Sequence, residues 1–190
     1  RNDPSHVNAL GMEMAMDVQA AVGWLTAQVR DAVVSVVLQG AGEHFCPGGN
    51  PYSAHAPAVA SLVTAARASA DLFDGFCLLR TMQMPVVSAA HGTVLGGGLA
   101  ACLLTDIVTS DHSATFQVGE RSRAIFPAGL LSQTLADAFG QAAATELYLC
   151  EHKLTGTQSC ELGCVQAVAP FARTAQQLAY HLVAPSDGSA

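Results

Sequence analysis

Three consecutive glycines, Gly96 to Gly98, interrupt the stretch HGTVLGGGLAAC at residues 91–102. Glycine packs no side chain and loses more backbone freedom on folding than any other residue, so the chain must need bare backbone here. A buried strand is predicted before the glycines and an apolar helix after them. The first N–H groups of that helix lack intrahelical partners and suit an anion or a developing oxyanion. Tight packing of the helix against a sheet is the alternative explanation.

A second glycine-containing loop, HFCPGGNPY at residues 44–52, also follows a predicted buried strand, AVVSVVLQG at residues 32–40. Two loops that leave adjacent strands can bring two backbone N–H groups together, which is the arrangement of an oxyanion hole. Other glycine motifs do not fit. The chain has neither the dinucleotide spacing G-x-G-x-x-G at a suitable place nor a P-loop nor the nucleophile elbow G-x-S-x-G.

The remaining hydrophobic pattern alternates between helices and short apolar strands. Helices are predicted at residues 12–31, 59–82, 130–139, 142–150 and 171–183, in addition to the one after the glycines. Further strands are predicted at residues 85–92, 107–111, 114–120 and 163–170. Continuous apolar strands that alternate with helices indicate an α/β fold with a mainly parallel sheet covered on its faces.

Composition excludes several classes of function. The chain is 51% hydrophobic and carries a net charge of −7 with only eight lysines and arginines, which argues against nucleic acid as a partner. No apolar run approaches the roughly 20 residues that cross a bilayer, so no membrane association is expected. The six cysteines lack zinc-like spacing, so no metal site is predicted. They favour buried free thiols in a reducing, cytoplasmic location.

Several segments in a fixed order resemble the crotonase (enoyl-CoA hydratase/isomerase) superfamily. They are FCPGGN, PVVSAAHGTVLGGGLAACLLTDIVTSDHSATFQVGE and ELGCVQAVAP, and the opening RNDPSHVNAL is similar to a further family segment. The resemblance implies a crotonase-like ββα superhelix, or spiral, with parallel strands. It also implies an enzyme that acts on acyl thioesters through an enolate. The substrate would be carried on CoA or phosphopantetheine, with no other cofactor.

The resemblance also implies roles for individual residues. The N–H groups of Gly49 and Gly97 match the family's two oxyanion donors. Glu120, in FQVGE, matches a catalytic glutamate of the family, and burial in an apolar pocket would raise its pKa towards neutrality. The alternative for this residue is a surface glutamate paired with Arg121 or Arg123.

Four positions depart from the family pattern. Ala100 stands where hydratases carry a second glutamate, and a single carboxylate is typical of the family's double-bond isomerases. The reaction is therefore expected to be double-bond isomerisation, or hydration and dehydration. Pro47 replaces an alanine and has no N–H. Asn50 stands where an acidic residue is common, and Ala128 replaces the nucleophilic aspartate of the dehalogenases.

The substrate-binding set is expected from the two glycine loops and the segment after Glu120. It comprises Cys46, Pro47, Gly48, Tyr52, Gly96, Phe126 and Pro127. His44 and His55 are weaker candidates near the first loop. Four other residues are expected to be structural: His91, Cys102, Asp106 and Asp111.

The resemblance covers roughly residues 1–170, and the family's first strand pair and C-terminal helices are missing. Residues 1–190 are thus expected to be a single crotonase-like domain, truncated at both ends. A homotrimer or hexamer is implied by the family. The alternatives are a domain of a multidomain polyketide synthase, where a carrier-protein thioester is dehydrated or decarboxylated, and a catalytically dead crotonase fold kept for binding or assembly.

Overall fold

The computed structural model describes residues 4–28, 33–49 and 62–183. Within these residues the strands are β1 (Val36–Gln39), β2 (Val86–Ala90), β3 (Thr93–Leu95), β4 (Ile107–Asp111), β5 (Thr115–Gln117), β6 (Leu154–Thr155) and β7 (Ala167–Ala169). The helices are α1 (Met12–Gln28), α2 (Leu62–Cys77), α3 (Gly97–Leu103), α4 (Leu131–Phe139), α5 (Gln141–Cys150), α6 (Gly156–Glu161) and α7 (Ala172–Val183). Short 3₁₀ turns form at Pro4–His6, Leu78–Thr81 and Arg121–Arg123.

The strands form two sheets. One sheet has the order β1-β2-β4-β7 with every pair parallel, and the other has the order β3-β5-β6. In the second sheet β3 and β5 are parallel, whereas β5 and β6 are antiparallel. From β2 to β5, successive strands alternate between the sheets, so that β2–β3–α3 is followed by β4–β5 and then α4. This succession is the predicted ββα superhelix.

The four-stranded sheet lies at the centre of the core. All five residues of β2 are buried, and α7 packs on β2 and β4. Two predicted structural aspartates hold the ends of these strands. Asp106 Oδ2 accepts the N–H of Val86 at 2.8 Å, and Asp111 Oδ1 accepts the N–H groups of Ser113 and Ala114 at 2.7 Å. The predicted turn and cap roles of both aspartates are confirmed.

Strand β3 differs from the sequence-based prediction, which placed the glycine triplet directly after the strand at 85–92. Gly92, with φ of +56°, turns the chain out of the first sheet, and Thr93–Leu95 join the second sheet before the glycines. A methyl group at Gly92 would collide with the carbonyl oxygen of Glu43. The turn therefore depends on a tertiary contact that local hydrophobicity does not reveal.

Other boundaries also differ from the predictions. Strand β1 is limited to Val36–Gln39 and is half-buried, because it is the outer strand of its sheet. The helix predicted at 59–82 ends at Cys77 and continues as the 3₁₀ turn Leu78–Thr81. Strand β6 and helix α6 were missed. A Thr155 capping box begins α6, with Gln158 N–H donating to the Thr155 hydroxyl at 3.1 Å.

The six cysteines are free thiols, and Cys46, Cys102 and Cys164 are buried as expected. Cys102 is fully buried in α3, which confirms its predicted place in the core. In the described part of the chain, no helix has the length and apolarity that a membrane span requires.

Two alanine substitutions test how the glycines act in this fold. A methyl at exposed Gly23, inside α1, would meet no neighbouring atom within 4 Å. Gly23→Ala is expected to raise the free energy of unfolding by about 0.5–1 kcal/mol, because it reduces the entropy of the unfolded chain. A methyl at Gly98 would collide with the carbonyl group of Cys46. Gly98→Ala is expected to lower the same free energy by at least about 2 kcal/mol.

Urea unfolding followed by circular dichroism measures both changes against the unmodified chain. Since both variants add one methyl group to a helical glycine, Gly23→Ala is the matched control for Gly98→Ala. Equal stability of Gly98→Ala and the unmodified chain would contradict the close contact between α3 and the loop at Cys46.

Candidate active site

The loop after β1 is joined to β3 by backbone hydrogen bonds. Cys46 N–H donates to the Thr93 carbonyl oxygen at 3.0 Å, and Leu95 N–H donates to the Cys46 carbonyl oxygen at 3.0 Å. Gly48 is tied in turn to the N-terminal segment, because its carbonyl oxygen accepts the N–H of Leu10 at 2.7 Å. These bonds hold the two predicted glycine loops side by side.

The contact between the loops requires bare backbone. A methyl group at Gly48, where φ is +91°, would lie 3.1 Å from the amide nitrogen of Gly97 and 2.9 Å from the Leu95 carbonyl oxygen. At Gly98 a methyl would collide with the Cys46 carbonyl. Gly96 has φ of +54°, a conformation that suits glycine. Tight packing, the alternative explanation of the triplet, therefore accounts for part of its glycine content.

Two backbone amides beside the loop contact make no hydrogen bond within the described residues. Among residues 4–28, 33–49 and 62–183, the N–H groups of Gly49 and Gly97 meet no hydrogen-bond acceptor. Gly49 is exposed, and Gly97 is the first residue of α3, so its amide lacks an intrahelical partner. The neighbouring Gly96 N–H is occupied by the Gln117 carbonyl oxygen at 3.0 Å.

Glu120 lies against the same turn. Its side chain is only 6% exposed, so it is not the surface glutamate of the alternative prediction. A methyl group on Gly96 would lie 3.2 Å from Glu120 Oε1, which places the carboxyl group beside the glycine triplet. Glu120 Oε2 is buried and makes no hydrogen bond in the described part of the chain. A buried acceptor without a partner costs stability, and such groups often mark functional sites.

The environment of Glu120 changes its acidity. Burial raises the pKa of the carboxyl from about 4.5 to about 7, and the negative charge of Glu151 adds to this effect. A hydrogen bond from the backbone N–H of Glu120 itself and the charge of Arg123 act in the opposite direction. The group can therefore accept and release a proton near neutral pH.

The other predicted site residues differ in how deeply they are buried. Cys46 is buried, and burial raises the pKa of its thiol to about 11, so it stays neutral. Pro47 is partly buried and lies between the loop contacts of Cys46 and Gly48. Phe126 is exposed on the segment after Glu120. Tyr52, Asn50 and His55 lie outside the described residues.

Within the described residues, one cavity adjoins the first glycine loop and another adjoins the segment after Glu120. One of about 300 Å³ lies between α1, β1 and the first loop, and its walls include Leu10, Cys46 and Ala101. Another of about 210 Å³ lies between α4 and α5, and Pro127 and Val118 line it. The described residues include no group of three or more histidine, cysteine, aspartate or glutamate side chains that could hold a metal ion.

The histidines near the first loop bond to backbone. His91 contacts the carbonyl oxygens of Ala89 and Gly42, each at 3.2 Å, which confirms its predicted structural role. His44 Nδ1 accepts the N–H of Thr93 at 3.2 Å.

Two residues that organise the site were missed by sequence analysis. Asn8, with φ of +60°, donates from its side-chain amide to the carbonyl oxygens of Ala41 and His44 at 2.8 Å. Glu151 accepts the N–H of Ser122, two residues after Glu120, at 3.0 Å. Asn8 lies in the segment RNDPSHVNAL, but that segment gives no sign of these bonds, and Glu151 belongs to no recognisable motif. The roles of both residues depend on long-range contacts.

Comparison with known proteins identifies the family of this chain. The family model described as enoyl-CoA hydratase/isomerase matches residues 2–187. The chain is 34% identical over 176 residues to the probable enoyl-CoA hydratase EchA12 of Mycobacterium tuberculosis, covering 89% of this chain and 60% of that protein. It is 30% identical over 176 residues to the peroxisomal Delta(3,5)-Delta(2,4)-dienoyl-CoA isomerase of Arabidopsis thaliana, covering 88% of this chain and 63% of that one.

Solved structures share the fold. An enoyl-CoA hydratase from Polaromonas sp. JS666 superimposes with a TM-score of 0.86 at 28% identity, covering 95% of this chain and 69% of that chain. Enoyl-CoA hydratase from Bacillus anthracis has a TM-score of 0.87 at 23% identity, covering 96% and 69%. The chain thus spans about 60% of the length of its curated relatives. By sequence and by fold, it belongs to the enoyl-CoA hydratase/isomerase family of the crotonase superfamily.

Proposed function

We propose that this chain catalyses proton transfer on an enoyl-CoA thioester, with Glu120 as the acid/base and the N–H groups of Gly49 and Gly97 as the oxyanion hole. The observation that carries the proposal is the buried Glu120 carboxyl beside the glycine triplet, whose Oε2 has no hydrogen-bond partner among the described residues. The family membership and the names of the relatives support a CoA thioester as the substrate class.

The proposed reaction begins when Glu120 removes a proton from the carbon α to the thioester carbonyl, or from the γ carbon of a 2-enoyl thioester. The C–H bond breaks, the proton moves to the carboxylate, and the electron pair moves onto the thioester oxygen as an enolate. The amides of Gly49 and Gly97 donate to that oxygen, and preorganised donors of this kind are worth about 2.7–4 kcal/mol each in the transition state. A pKa near 7 lets one carboxyl take the proton and give it back.

The outcome depends on where the proton returns. Return to a different carbon of the enolate shifts the double bond, which needs no second acid/base group. Loss of a β-hydroxyl from the enolate, which takes the proton held by Glu120 and leaves as water, would instead dehydrate the substrate, and the reverse reaction would need an oriented water. Ala100 is fully buried on α3 and brings no carboxylate to this position. The single carboxyl therefore favours isomerisation over hydration, and an isomerase is among the relatives.

Glu120→Gln tests the role of the carboxyl because it keeps the size of the side chain and removes its basicity. Incubated with 3-enoyl-CoA and 2-enoyl-CoA in deuterated water, the unmodified chain should shift the double bond and incorporate deuterium. The variant should lose at least about 10²-fold of this rate. Mass spectrometry measures deuterium uptake and any gain or loss of water.

Glu161→Gln is the matched control, because Glu161 is an exposed glutamate at the end of α6 and is expected to leave the rate unchanged. Activity of Glu120→Gln equal to that of the control would overturn the proposed role. An unmodified chain that exchanges no proton into either thioester would instead support a binding or assembly module.

The raised pKa of Glu120 also predicts how stability depends on pH. Between about pH 4.5 and pH 7 the folded chain holds a proton that the unfolded chain has released. The free energy of unfolding must therefore fall as pH rises through this window. Glu120→Gln removes the effect and should be more stable than the unmodified chain by about 1–2 kcal/mol near pH 8.

Below about pH 4.5 the difference should vanish, since the carboxyl is then protonated in both states. Urea unfolding at both pH values measures it, with Glu161→Gln as the control. A difference that does not change with pH would contradict the raised pKa of Glu120.

A further inference from the structure

Glu151 has an unusual backbone conformation. It follows the last residue of α5 and has φ of +52° and ψ of +35°, the left-handed region that glycine occupies most easily. Its own N–H closes the helix by donating to the Leu147 carbonyl oxygen at 2.9 Å. A glycine here would complete the same helix end without strain. The glutamate side chain must therefore contribute something that the helix end itself does not need.

The contacts of Glu151 lie on both sides of Glu120. Its carboxylate Oε1 accepts the N–H of Ser122 at 3.0 Å, in the 3₁₀ turn that begins directly after Glu120. Its backbone carbonyl oxygen accepts the side-chain amide of Gln117 at 3.0 Å, and Gln117 is the last residue of β5. One residue thus holds the chain just before and just after the carboxyl of the proposed site.

We infer that Glu151 is a positioning residue, which fixes the segment carrying Glu120 against the glycine triplet and keeps a negative charge beside that segment. The inference rests on the proposed function, because Glu151 acts only through Glu120, the proposed acid/base. Glu151 is partly exposed and acts through Ser122, Gln117 and its charge.

Few charged side chains lie near Glu120 in the described part of the chain. Its own turn contributes Arg121 and Arg123, and Arg123 is directed to the Gly119 carbonyl oxygen at 3.1 Å. From the end of α5 comes Glu151, whose pKa is lowered by its hydrogen bonds from Ser122, so it remains ionised. From the glycine turn only uncharged backbone faces the carboxyl.

Beyond Glu151, the chain continues with exposed His152 and Lys153, and His152 lies 3.7 Å from Glu146. The negative charge of Glu151 opposes a second negative charge on Glu120 and so raises the pKa of Glu120.

Two variants separate the effect of the Glu151 charge from the effect of its side-chain hydrogen bond to Ser122. Glu151→Gln keeps an oxygen acceptor for Ser122 N–H but removes the charge. We expect the pH at which kcat reaches half its basic plateau to move to lower pH, while the plateau rate is retained. Glu151→Gly suits the left-handed backbone and removes both the charge and the side-chain hydrogen bond. We expect its plateau kcat to fall about tenfold with KM little changed, because small misplacements of reacting groups are costly.

The matched control is Glu146→Gln, which removes a charge from the exposed face of the same helix and should leave the rate and pH profile unchanged. Thermal unfolding should show no lower Tm for Glu151→Gly than for the unmodified chain, since glycine relieves the backbone strain. A tenfold loss of rate in that variant then cannot be attributed to unfolding.

A titration of the Glu120 carboxyl by carbon-13 NMR, on the full chain and on Glu151→Gln, tests the coupling without activity. A downward shift of the Glu120 pKa in the variant supports the inference. An unchanged pKa, or an unchanged plateau rate in Glu151→Gly, overturns it. Full activity of Glu120→Gln would overturn the proposed function instead, and the NMR result would still decide whether Glu151 controls the carboxyl.

Discussion

The backbone pairing between the first glycine loop and β3 organises the rest of the site. Two hydrogen bonds, Cys46 N–H to Thr93 and Leu95 N–H to Cys46, join segments that are almost fifty residues apart. They bring Gly48 against Gly97 and leave no room for a side chain at Gly98. Directly after β3, Gly96 N–H donates to the carbonyl oxygen of Gln117, the last residue of β5. This bond links the loops to the segment that leads to Glu120, three residues further on. Without this pairing, the Gly49 and Gly97 amides and the Glu120 carboxyl would not be held in fixed positions relative to one another.

The two sheets have different structural roles. In the four-stranded sheet, β2 is fully buried and packs against α7. The smaller sheet buries Val94 and Phe116, and its parallel strands β3 and β5 end side by side, shortly before the glycine triplet and Glu120. The buried strands thus support the segments of the proposed site. The burial of Glu120 Oε2 without a hydrogen-bond partner among the described residues is a stability cost that this support makes tolerable.

Much of this arrangement was predictable because its signals are local. The glycine triplet, the loop FCPGGN and the apolar strands around them indicate an α/β fold in which two glycine loops meet, and the resemblance of FQVGE to a family segment implies a role for Glu120. Strand β3 was not predictable, since three residues are too few to show a period and its partner β5 is remote. Glu151 was missed for a similar reason. Its contacts with Ser122 and Gln117 are long-range, and no pattern around residue 151 encodes them.

The proposed oxyanion donors are peptide groups, and this has a consequence for how the chain can diversify. A peptide N–H is present whatever the side chain, so a substitution that leaves the backbone of the two loops unchanged keeps both donors. The glycines that hold the loops together are the exception, since Gly48 and Gly98 have no room for a larger residue. Under the proposed function, side chains around the site can therefore change among descendants while the two backbone donors are inherited with the loop conformation.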